Sequence, residues 1–199
     1  MNRYIAIISL TLISSYALAD VWELPKTKRY FSKDSTFMVK VIPTQIPEKY
    51  WQWTKSKPNK KKNFTEKDTT IILCHAILYK IESPDTIEIW NKKIVNPIMP
   101  VQVIVADDGK STVTFDNWSS MGYGPDVMVI YNEFGELAKK YQLQDFSPFP
   151  ITDYMTSVSS IWWRCGTKYI NNQTIEICFQ DQNKNTKTRQ YNLTTQEFK

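Results

Sequence analysis

Few side chains in this chain combine the types and the spacing that chemistry needs. The single histidine, His75, adjoins Cys74 inside the apolar run Ile71 to Lys80. Neighbours on a strand point to opposite faces, so these two cannot share a metal or act as nucleophile and base. His75 therefore reads as a core or edge histidine. Asp107-Asp108 is a carboxylate pair of the kind that acid–base work on a glycoside requires. Gly109-Lys110 follows it directly, and Asp and Gly are what a hairpin turn demands in any case. The pair lacks the spaced oxygens of a calcium loop. Neither a phosphate-binding glycine loop, a metal-ligand cluster nor any other cofactor motif can be read from the chain.

The best binding candidate is Phe115-Asp116-Asn117-Trp118 with Gly122-Tyr123-Gly124. Here Asp116, Asn117, Trp118 and Tyr123 offer a ring to stack and polar groups to orient a sugar or peptide. The same residues also suit a structural role, in which Asp116 and Asn117 satisfy loop amides and Trp118 closes the core. Trp162-Trp163-Arg164 invites a similar reading, although on a strand one indole would be core and the other edge.

A second surface is basic. Between Tyr50 and Asp68 the chain carries Lys55, Lys57, Lys60, Lys61 and Lys62, and its overall net charge is +5. A lysine run of low hydrophobicity is first a solvated insertion loop. As an arm it would suit an anionic polymer, yet no specific nucleic-acid motif surrounds it.

Compartment follows from the N-terminus. Residues 1–19 read as a cleaved secretory signal peptide: Arg3, an apolar run from Tyr4 to Leu12, and the small-x-small site Ala17-Leu18-Ala19. No later apolar run approaches transmembrane length, so the mature chain is expected without a membrane span, secreted or periplasmic, and of bacterial style. Oxidising surroundings permit a disulfide among Cys74, Cys165 and Cys178. Cys165 and Cys178 have the spacing of facing positions on adjacent strands, and the alternative leaves all three as buried thiols.

The elements that must position these residues are strands. VQVIVA, STVTF and DVMVIY lie between Val101 and Tyr131, separated by Asp107-Asp108-Gly109-Lys110 and by the loop from Asn117 to Pro125. β-Branched runs bounded by Asp-Gly and Gly-Pro read as antiparallel strands, and Leu137 to Leu143 adds a fourth. Further strands are expected at Arg29–Phe31, Thr36–Ile42, Ile71–Lys80, Thr86–Ile94, Ser157–Arg164, Lys168–Ile170, Thr174–Phe179 and Thr188–Leu193. No helix longer than about two turns is expected.

The pattern repeats. Val127-Met128-Val129 matches Ile177-Cys178-Phe179, and Tyr141-Gln142-Leu143 matches Tyr191-Asn192-Leu193, both at an offset of fifty. Ala76-Ile77-Leu78-Tyr79 matches Met128-Val129-Ile130-Tyr131 at fifty-two. Ser32 to Ser35 echoes Ala106 to Gly109. Short strands at such a period are a mark of sheet arrays. The strand–DDGK–strand–loop–strand–Gly–strand unit resembles a β-propeller blade, and DDGKSTVTFDNWSSMGYG is similar to segments of uncharacterised secreted bacterial proteins. That resemblance implies about three blade-like antiparallel sheets of up to four strands in a single all-β domain, 20–199, with an insertion at 50–68. A two-sheet β-sandwich is the runner-up. Three blades do not close a propeller, so open edges make a homodimer an expectation. In function the chain is expected to be a non-enzymatic binding or scaffolding module of the cell envelope, for a ligand or envelope protein. An envelope hydrolase using paired carboxylates and an anionic-polymer binder are the rivals.

Overall fold

The computed structural model describes residues 22–47 and 70–199, and within them the chain is all-β. The signal segment 1–19 and the lysine-rich insertion lie outside the described residues. Three four-stranded antiparallel sheets follow one another in sequence order. The first holds β1 (Lys28–Phe31), β2 (Phe37–Ile42), β3 (His75–Glu82) and β4 (Asp85–Lys93). The second holds β5 (Pro100–Val105), β6 (Thr112–Asn117), β7 (Met128–Tyr131) and β8 (Leu137–Tyr141). A single helical turn, α1 (Leu143–Phe146), leads to a two-stranded ribbon of β9 (Met155–Thr156) and β10 (Ile161–Trp162). The third sheet holds β11 (Arg164–Asn171), β12 (Thr174–Gln180), β13 (Thr186–Asn192) and β14 (Glu197–Phe198). None of the sheets closes on itself.

The middle sheet is covered on both sides, which explains the near-continuous apolar runs of β6 and β7. Val113, Phe115, Met128 and Ile130 join Ile175, Ile177, Phe179 and Tyr191 of the third sheet in one core. Val103, Val105, Val129 and Tyr131 join Val39, Val41, Leu78 and Trp90 of the first sheet in another. α1 places Phe146 in the first of these cores, edge-on to Trp163 at 5.4 Å between centroids. The two end sheets present different outer faces. Thr174, Glu176 and Gln180 alternate with the buried residues of β12, whereas Met38 and Ile42 of β2 lie opposite Tyr79 and His75.

Four hairpins share one turn. The amides of Ser35, Gly109, Gly135 and Lys184 donate to the carbonyls of Ser32, Ala106, Asn132 and Asp181, at 3.0, 3.0, 3.0 and 3.1 Å. Each of those donors has positive φ, from 63° to 72°. This is a type I turn followed by a left-handed residue, a common hairpin closure. Glycine is needed at two of them for a second reason. A Cβ on Gly109 would stand 2.4 Å from the Phe37 ring, and one on Gly135 would stand 2.7 Å from the Trp90 ring. Both turns of the middle sheet thus close directly onto aromatics of the first.

The expected and observed elements differ in four places. The strand expected at Ile71 starts only at His75, and Ile72 makes an isolated bridge to Gln45. Ser157–Arg164 is not one strand: the chain turns between Ser157 and Ser160, forms β10, and enters β11 at Arg164. The strand expected through Leu143 stops at Tyr141, where the capping box of Gln142 and Asp145 starts α1. Neither of the two-residue strands β9 and β14 was foreseen. The offset of fifty-two links β3 to β7, both third in their sheets, and both carry a bulge at the matched step, Leu78/Tyr79 and Ile130/Tyr131. The offset of fifty links β7 to β12 and β8 to β13, which hold different places in their sheets.

Candidate functional site

The penultimate residue of β6 has an unusual backbone state. Asp116 has φ of 59° and a side chain with no exposed surface. Asp tolerates the left-handed region better than most residues, and here the conformation turns its carboxylate inward. Oδ1 accepts the Gly122 amide at 2.8 Å and the Trp163 indole N–H at 2.9 Å. Oδ2 accepts Arg164 Nη2 at 3.0 Å. Gly122 can come this close because it lacks a Cβ, which would lie 2.7 Å from Ile161. The Ile161 amide in turn donates to the Met121 carbonyl at 2.8 Å, stitching the loop to the ribbon.

Arg164 is held on every side. Its guanidinium lies over the Phe115 and Trp163 rings, 4.7 and 5.3 Å from their centroids, and also donates to Gln102 Oε1. Burial pushes the Asp116 carboxyl up, while the Arg164 guanidinium, the Trp163 indole and the Gly122 amide pull it back. Burial likewise draws Arg164 down, opposed by Asp116. Each charge is desolvated, and each is the other's compensation. Asn96 completes the network from the strand-connecting segment. Its Nδ2 donates to Asp116 O at 3.2 Å and to Asn117 Oδ1 at 2.7 Å, and its Oδ1 accepts Thr114 Oγ1 at 3.1 Å.

The four residues picked out in the sequence therefore do not face one ligand. Asp116 and Asn117 turn into the protein, because the loop needs their oxygens. Trp118 and Tyr123 are half-buried, each packed against a different core and bordering a separate hollow. Trp118 donates from Nε1 to the Glu23 carbonyl at 2.8 Å and meets Trp22 edge-on, 6.0 Å between centroids. These two indoles, with Met99, Pro100, Lys26 and Lys28, line a groove of about 230 Å3. Tyr123 donates to the Ser157 carbonyl at 3.1 Å and borders a hollow of about 200 Å3 with Gln142 and Ile151. From the sequence Trp22 reads, with Leu24, as an anchor of the lead-in segment 20–25; its place beside Trp118 is what the sequence does not show.

The remaining candidates are dispersed. Asp107 accepts the Asp34 amide at 3.1 Å and Asp108 accepts the Lys110 amide at 3.0 Å, so both carboxylates serve turns. His75 Nδ1 lies 3.3 Å from the Leu73 carbonyl. Cys74 is buried, and burial pushes its thiol up to about 12. Cys165 and Cys178 are joined as a disulfide across β11 and β12, at the bulge that follows Arg164. Of the two indoles of the Trp-Trp pair, Trp163 is wholly buried and Trp162 partly exposed. Lys55, Lys57, Lys60, Lys61 and Lys62 lie outside the described residues. Among the described residues no group of His, Cys, Asp or Glu could hold a metal, and no helix is long and apolar enough to cross a membrane. No family model, no curated protein and no solved structure matches the chain.

Proposed function

We propose that the chain is a secreted or periplasmic, non-enzymatic binding module of a bacterial cell envelope, built from propeller-like blades that stay open. In this reading the Trp22–Trp118 groove is its ligand-facing surface. One observation carries it: the carboxylate of Asp116 is wholly internal, while the Trp118 indole forms a groove wall together with a second indole, Trp22. A groove with paired rings and a lone carboxylate, Glu23, suits recognition rather than glycoside cleavage, which uses two carboxylates. Lys26 and Lys28 outnumber Glu23 in the lining and favour an anionic partner, and paired indoles favour the flat faces of sugar rings. An acidic oligosaccharide combines both. The sheet order and the matched bulges of β3 and β7 support the blade reading.

Titration with acidic and neutral oligosaccharides, followed by tryptophan fluorescence and calorimetry, tests the assignment. The acidic series should quench fluorescence, and Trp118→Ala should remove at least tenfold of the affinity, about 1.4 kcal/mol. Equal responses from Trp118→Ala and the unaltered protein, or no response to any acidic glycan, would sink it.

A further inference from the structure

The two ends of the middle sheet are unalike. At one, where β6 runs out beside the start of β5, lies the Trp22–Trp118 groove. The other end is about 20 Å away, the length of these six-residue strands. There the β5–β6 and β7–β8 turns meet the β11–β12 and β13–β14 turns of the third sheet around a second groove, of about 290 Å3. The Ser111 and Tyr169 hydroxyls, 2.9 Å apart, join the two sheets at this place. The Leu193 amide donates to the Gln173 carbonyl at 2.8 Å and joins the two turns of the third sheet.

The floor of this groove is apolar, formed by buried Ile130 and half-buried Leu193. Its rim is polar and exposed: Asp108, Lys110, Asn172, Gln173, Thr194 and Gln196. Other side chains close the turns. Asn171 Oδ1 accepts the Gln173 amide at 2.9 Å, and Asn192 Oδ1 accepts those of Thr194 and Thr195 at 2.8 and 2.9 Å. The carboxamides of Asn172, Gln173 and Gln196 are thereby left without a partner among the described residues. Gln196 also has φ of 57°, a left-handed backbone that Gly adopts without steric cost. A long polar side chain held at such a position on a groove rim points to use by a ligand.

A carboxamide both donates and accepts, as a sugar hydroxyl does, so neighbouring hydroxyls can be met in pairs. Asp108 and Lys110 balance each other on the rim, whereas Lys26 and Lys28 outnumber Glu23 in the first groove. An apolar floor suits the C–H face of a pyranose ring. We propose that this groove is a second binding site, for a neutral mono- or disaccharide, with Asn172, Gln173 and Gln196 as its hydrogen-bonding groups. It rests on no property of the Trp22–Trp118 groove.

Maltose, cellobiose and chitobiose are the probes, titrated into the purified chain and followed by calorimetry and saturation-transfer NMR. At least one of them should bind, and Gln173→Ala should weaken it on the order of tenfold. Gln196→Gly removes the carboxamide and relieves the left-handed backbone. It should therefore melt at or above the temperature of the unaltered protein and still lose on the order of tenfold in affinity. Failure of all three sugars to bind overturns the site, as does a sugar whose affinity ignores both glutamine variants. A neutral sugar lost in Trp118→Ala but kept in Gln196→Gly belongs to the other groove and overturns the site as well. Acidic glycans report on the Trp22–Trp118 groove and neutral ones on this groove, so the two readings fail separately.

Discussion

Arg164 Nη2 and Asp116 Oδ2 meet at 3.0 Å across a sequence separation of 48, with 9 % and none of their side-chain surfaces exposed. The pair joins the end of β6 to the first residue of β11, so it fastens the middle sheet to the third. Truncating one partner leaves a buried charge uncompensated, which costs about 3–5 kcal/mol. Asp116→Ala is expected to lower the unfolding free energy by that amount in urea titrations. Asp116→Asn with Arg164→Met should cost less than the two single changes added together. Additive losses would show that the two side chains act separately.

Gly109 and Phe37 provide a second test of how the sheets are joined. Gly109→Ala must both push the Phe37 ring aside and adopt a left-handed backbone, at roughly 1–3 kcal/mol. Ser35, at the matching place in the β1–β2 turn, already bears the left-handed cost. Ser35→Gly is accordingly expected to be neutral or stabilising. The Gly109→Ala melt should fall while the Ser35→Gly melt holds or rises, and a Gly109→Ala melt equal to that of the unaltered protein would refute the contact.

Acid titration bears on the same turn. The Thr36 amide at 3.0 Å, then the Ser32 and Thr36 hydroxyls at 2.7 Å, hold Asp34 at about 2, below its ordinary 3.8. A depressed folded-state value means that the ionised form is the one favoured by folding. The contribution is therefore complete above about pH 4 and disappears as pH falls through about 2. Asp34→Ala should flatten the stability curve in that window while leaving its neutral-pH shape alone. An unchanged acid limb in Asp34→Ala would reject this assignment.

How much of this was legible in the residues varies with range. The runs of β6 and β7 and the Asp-Gly turn between β5 and β6 depend on local pattern, and they stand close to where the sequence puts them. The first residues of β3 do not: Ile71 to Leu73 are apolar enough for a strand, but only Ile72 bridges to a neighbour. Hydrophobic alternation also misleads about place, since it matches β7 with β12 although one is third in its sheet and the other second. The inward turn of Asp116 depends on Arg164, Trp163 and Gly122, two of them where β10 passes into β11, more than forty residues away. No local signal encodes that meeting. The same holds for Trp22, whose indole donates to Ser159 Oγ at 3.1 Å across 137 residues.

The middle sheet lends one face to each of two cores, and this determines how the molecule can come apart. Removing either end sheet would strip a full apolar face from its neighbour, so neither core survives the loss of the other's scaffold. Loss of structure should accordingly run through the whole stack in one step, rather than blade by blade as in a linear repeat array. A single transition, sensed equally by Trp90 in one core and Trp163 in the other, is the signature of a chain that cannot be shortened by one unit and remain folded.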